Sequence, residues 1–148
     1  MAKSTGITMA VLAALSMAAA AQAETAIQAG LWEATDKTTM EGVQPIPAVS
    51  RQVCLKAGEA YLERLLFPSP AEIAQHGCKY QEGARQPGVL RATLVCPPTD
   101  EVAGIDAKAE ITYGATSYEG EGQLLATDKA GTTIKGSSVL SGKRVGDC

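Results

Sequence analysis

The sequence predicts a mainly β domain: a strongly curved antiparallel meander or partial barrel of about six to seven strands, with one helical insert over residues 57–76. Three observations predict it. Apolar and polar residues alternate with a period of two, most cleanly where Ala107, Ala109, Ile111 and Tyr113 oppose Lys108, Glu110 and Thr112. Short turn signals separate the alternating runs, as in Gln86-Pro87-Gly88, Gly114-Ala115 and Asp128-Lys129-Ala130-Gly131. Good helix formers are concentrated in one stretch only.

Taken in order, residues 31–40 form the first strand. Trp32, Ala34, Thr38 and Met40 share one face, and Glu33, Thr35 and Lys37 the other. Residues 41–48 carry Gly42, Pro45 and Pro47 and read as a loop. Residues 49–55 are a second strand that brings in Cys54. The insert begins at Ala57, where Tyr61, Leu62, Leu65 and Leu66 form a helical stripe that Pro68 ends. Ser69-Pro70-Ala71-Glu72 then reads as a capping box with proline at the first helical position, and Gly77 closes that short helix.

Only strands follow. Residues 79–85 and 89–96 make a hairpin, and 97–104 a loop. Residues 105–113, 116–127 and 132–141 continue the meander, with 143–148 as a tail. Ala107, Ala109, Gly120, Gly122, Gly136 and Ser138 make one face rich in small residues. In strands this marks bending or close backbone approach, so the insert is expected over a concave face there.

Residues 1–23 read as a secretory signal peptide. Lys3 precedes an apolar run from Ile7 to Ala21, and Ala21-Gln22-Ala23 forms a small-x-small cleavage pattern. The run is shorter than the ~20 residues that span a bilayer. Cleavage after Ala23 leaves a 24–148 domain with no membrane span. That domain is acidic, with 16 Asp and Glu in the chain against 13 Lys and Arg, one of which is Lys3. Such a balance, without a basic patch, excludes nucleic acid as the expected partner.

Leu, Ile, Val and Phe make up about one residue in five of the mature chain, the edge of what folds unaided. Exported domains with so lean a core commonly add disulfides. The 4 Cys are separated by 24, 18 and 52 residues, unlike a Cys-x-x-Cys metal or redox pair, and read as two bridges. In a hairpin centred on residues 86–87, Cys78 and Cys96 lie opposite one another. A first strand beside the last then brings Cys54 to Cys148. The other pairing, Cys54–Cys78 around the helix with Cys96–Cys148, stays open at this stage.

Few residues are candidates for chemistry. The only His, His76, ends the capped helix, where a helix C-terminus accounts for it. Glu110, Glu119 and Glu121 share one sheet face with Lys108 and Lys135, as on a solvated surface. Arg144 and Asp147 read as an ion pair positioning Cys148. No triad, phosphate loop or metal cluster is present in the sequence. The chain is therefore expected to have no catalytic residues, no metal and no cofactor.

The quoted residues resemble a known family. Gly30-Leu31-Trp32-Glu33 before a Thr-rich strand, Val53-Cys54-Leu55, Cys78-Lys79, Cys96, Tyr113-Gly114 with Ser117-Tyr118, and the ending Gly142-Lys143-Arg144-Val145-Gly146-Asp147-Cys148 are similar to the DUF3617 family. The likeness covers nearly the whole mature chain. It departs at the insert, where Lys56-Ala57-Gly58 stands in place of a Thr-Pro cap. It implies a small exported protein of Gram-negative bacteria, and it supplies no catalytic residues to carry over.

The expected function is a periplasmic, non-enzymatic binding or accessory protein. Trp32, Met40, Tyr113 and Tyr118 would line a concave site for a small apolar or envelope-derived ligand. The alternative is a protein-interaction module, such as a hydrolase inhibitor or an envelope-assembly partner. It would contact a periplasmic protein through residues 41–48 or 97–104.

Overall fold

A computed structural model describes residues 25–84, 86–100 and 103–148. The expected signal peptide lies outside the described residues, as do residue 85 of the expected hairpin and residues 101–102 of the expected loop. Seven strands form one sheet: β1 (Gly30–Met40), β2 (Val49–Leu55), β3 (Lys79–Glu82), β4 (Val89–Cys96), β5 (Gly104–Tyr113), β6 (Ser117–Thr127) and β7 (Thr133–Gly146). Between β2 and β3 lie two short helices, α1 (Glu63–Leu66) and α2 (Pro70–Gln75). All pairs are antiparallel, in the order β2-β1-β7-β6-β5-β4-β3.

The sheet is open. β1 sits beside β7, as a meander returning on itself requires, but β2 lies outside β1 and β3 outside β4. Among the described residues no pairing joins these two edges, so the expected meander stays open and does not close into a full barrel.

Register carries the alternation across the sheet. Trp32 faces Arg144 and Ala34 faces Gly142 from β1 to β7; Tyr118 faces Gly142, and Ile111 faces Gly120 and Leu90. One face is thus apolar around Trp32, Ile111 and Tyr118, and the insert packs on that part. The core there is Trp32, Ala34, Leu55, Ala60, Leu62, Leu65, Leu90, Ile111 and Tyr118. Leu62 and Leu65 are fully buried, each contributing about 1.5–3 kcal/mol.

The insert is less helical than its stripe predicts. Residues 57–62 make a turn and an isolated bridge, and helix begins only at Glu63. A strand-like segment explains this. Ile27 N–H donates to the Ala60 carbonyl (2.9 Å) and Leu62 N–H to the Thr25 carbonyl (2.9 Å). These pairings occupy backbone groups that a helix would use internally. The second helix follows its cap: the Ser69 hydroxyl accepts from Glu72 N–H (3.3 Å), and the Glu72 carboxylate accepts from Ser69 N–H (2.9 Å).

The expected tail is also corrected. β7 runs on to Gly146, because β1 pairs with it through Leu31↔Gly146 and Trp32↔Arg144. Two disulfides close the molecule. Cys54–Cys148 ties β2 to the chain end, and Cys78–Cys96 bridges the open end of the β3–β4 hairpin.

Candidate functional site

Of the four residues expected to line an apolar site, the structure brings three together. Trp32 and Tyr118 stack with ring centroids 6.3 Å apart, and Tyr113 is the cross-strand partner of Tyr118. Trp32 is completely buried, and its indole N–H donates to the Gln28 carbonyl at 2.9 Å. Met40 lies eight residues along β1, roughly 26 Å away in an extended strand, with its sulfur over Gly136.

The space beneath the insert is filled by the insert itself. A void of about 30 Å³ remains, lined by Asp36, Arg51, Leu65, Leu66 and Tyr118 among others. That is room for about one water. Arg51 reaches across it to donate to the Leu65 carbonyl. Burial holds the Tyr118 phenol above its ordinary pKa; the Asp36 charge adds to the rise and Arg51 opposes it. The sequence signal for Arg51 was a cation in the apolar phase of β2, between Val49 and Val53.

The larger concavity is on the other face. An open trough of about 1200 Å³ crosses β4 to β7 on the polar side, over Arg91, Lys108, Glu110, Glu119, Glu121 and Ser137. Of the small residues expected on the concave face, Ala109, Gly120, Gly122 and Ser138 also line this trough, while the core lies around Trp32, Ile111 and Tyr118 on the face they share. Glu110 lies directly opposite Glu121, and Arg91 pairs with Glu110 (Nε to Oε2 2.8 Å). Lys135 is not among these carboxylates, since it stands opposite Leu125.

The remaining candidates are structural in their contacts. His76 is the exposed C-cap of α2, its backbone N–H donating to the Glu72 carbonyl at 3.1 Å. Hydrogen bonds from the Ser69 side chain and backbone hold the Glu72 carboxyl below its ordinary range; burial opposes this weakly, and nearby His76 lowers it slightly. Arg144 donates from Nε to the Ala29 carbonyl (2.7 Å) and pairs with Asp147, the residue before Cys148. Among the described residues, no group of three or more His, Cys, Asp or Glu could hold a metal ion. No described helix is long and apolar enough to cross a membrane.

Residues 41–48 stand out by exposure. Every one is exposed, including Val43 (48%) and Ile46 (40%), and the exposure continues into Val49 (60%) at the start of β2. Pro45 and Pro47 flank Ile46 and restrict the backbone that carries it.

The family model described as "Protein of unknown function (DUF3617)" matches residues 27–148, so the chain belongs to that family. No curated protein and no solved structure matches it.

Proposed function

Starting from membership of the DUF3617 family, we propose that this chain is an exported, non-enzymatic protein-interaction module whose contact surface is centred on residues 41–48. One observation carries the reading: a loop of eight exposed residues holds Val43 and Ile46 in water, Ile46 between two prolines. Contiguous exposed apolar surface marks interaction sites, and Val43, Ile46 and Val49 are all exposed within seven residues of chain. The two disulfides support export to an oxidising compartment such as the periplasm.

A small apolar ligand has less support, because Leu62 and Leu65 occupy the expected site and leave about 30 Å³. The non-catalytic reading is supported by His76 and Glu119 standing exposed on different elements, His76 at the end of α2 and Glu119 on β6.

The test is affinity capture from the envelope fraction of the native cell, comparing the wild-type chain with the double variant V43D/I46D. The wild type should retain a partner near one-to-one, and the variant should lose about tenfold of it. Equal retention by both chains, or no near-stoichiometric partner, would overturn the proposal.

A further inference from the structure

The two edges of the sheet differ. β3 is four residues long and carries Lys79 and Glu82, features that blunt an edge against further pairing. β2 is seven residues long, about 23 Å of extended chain. It contains no Pro, Lys, Asp or Glu, and Ser50, Arg51, Gln52 and Cys54 are exposed. Among the described residues its one strand neighbour is β1. Among the described residues, no backbone hydrogen bond reaches its outer side.

This edge is also held in place. The Ser50 hydroxyl bonds the Thr35 hydroxyl at 2.8 Å, the Arg51 guanidinium is tied to the Leu65 carbonyl, and Cys54 is bonded to Cys148. An ordered edge loses little entropy when it binds. Its unpaired N–H and C=O groups alternate at strand spacing, and another extended polypeptide backbone matches them.

We infer that β2 is a β-augmentation site, at which an extended segment of a partner protein adds as an eighth strand beside Val49–Leu55. The inference rests on the interaction reading above and names its binding mode. It follows from continuity: the exposed loop runs directly into β2, so exposed Ile46 and exposed Val49 stand three residues apart where the loop becomes the edge. The partner segment is therefore an extended stretch with β-branched apolar residues on one side, able to pack beside Val49 and Val53.

The test uses the disulfide-bonded mature chain and a twelve-residue peptide of alternating Val and Thr with lysines at both ends. A control peptide has proline at every position between the lysines, so it has no backbone N–H to donate there in either register. Hydrogen exchange is read residue by residue. The Val/Thr peptide should slow exchange about tenfold at alternate amides of residues 49–55, and the proline control should not. The folded variant S50K/Q52K should weaken the effect about tenfold, because lysine on an edge opposes strand addition.

Protection at β3 instead, or none at β2, overturns the inference. So does protection of β2 that rises with protein concentration and needs no peptide, since the occupant would then be a second copy. If the edge fails this test while capture still depends on Val43 and Ile46, only the binding mode is lost. Loss of that dependence removes the interaction reading itself.

Discussion

The ring of Tyr118 lies over Gly142, its partner across β6 and β7, in the space a Cβ on Gly142 would fill. The absence of a side chain there leaves room for the Tyr118 ring, which stacks on Trp32. Gly142→Ala therefore forces the ring out of the core. It should cost about 2 kcal/mol by overpacking, read as a lower denaturant midpoint with the slope unchanged.

The lean core predicts a strong contrast between the insert and the loop. Leu65→Ala removes a fully buried side chain and should cost about 3 kcal/mol in denaturant unfolding. Val43→Ala and Ile46→Ala, in exposed positions, should each change stability by no more than about 0.5 kcal/mol. A large loss at Val43 would mean that the loop serves the fold.

The two disulfides should contribute unequally. In the chain-entropy account, the bridge spanning 94 residues contributes about 5 kcal/mol and that spanning 18 about 3 kcal/mol. Replacing Cys54 and Cys148 together by Ser should lower the melting temperature more than replacing Cys78 and Cys96. Non-reducing peptide mapping of each variant checks that the other bridge is intact.

Tyr118 predicts a change at alkaline pH. Its pKa is raised in the folded state, chiefly by burial, so its contribution is fully present below the ordinary tyrosine value. The contribution is lost as pH climbs from about 10 toward the folded pKa. Denaturant midpoints should fall over that range in the wild type and fall less in Tyr118→Phe.

Glu72 titrates in the opposite sense. Its folded pKa is lowered, first by the Ser69 side chain and then by the Ser69 backbone. The capping box therefore contributes above the ordinary carboxyl value and weakens as pH falls through the folded pKa. In Ser69→Ala the Glu72 carboxyl carbon should titrate at higher pH than in the wild type, as followed by NMR.

Much of the fold was legible because strand alternation and turn chemistry are local. The hairpin centre at residues 86–87 placed Lys79 opposite Val95, which is the observed register, and Cys78 bonds Cys96 just beyond it. What the sequence could not show depended on distant partners. Residues 57–62 have helical composition but give their backbone groups to Thr25 and Ile27, about 35 positions earlier. β7 outlasts its alternation because β1 lies alongside it.

The site was less legible. Trp32 and Tyr118 were found together, but alternation could not tell whether a ligand or Leu62 and Leu65 would cover them. Arg51 was missed because a lone arginine in a strand gives no sign that it reaches the Leu65 carbonyl. The exposed loop was legible from its prolines. The open β2 edge required the strand order.

The interaction surface is tested most directly by placing a photocrosslinking amino acid at position 46 in the full chain, expressed in its native cell. The account predicts one discrete adduct with another protein on irradiation, and none from the same probe at position 129 in the β6–β7 turn. No discrete adduct from position 46, or the same adducts from both positions, would contradict it.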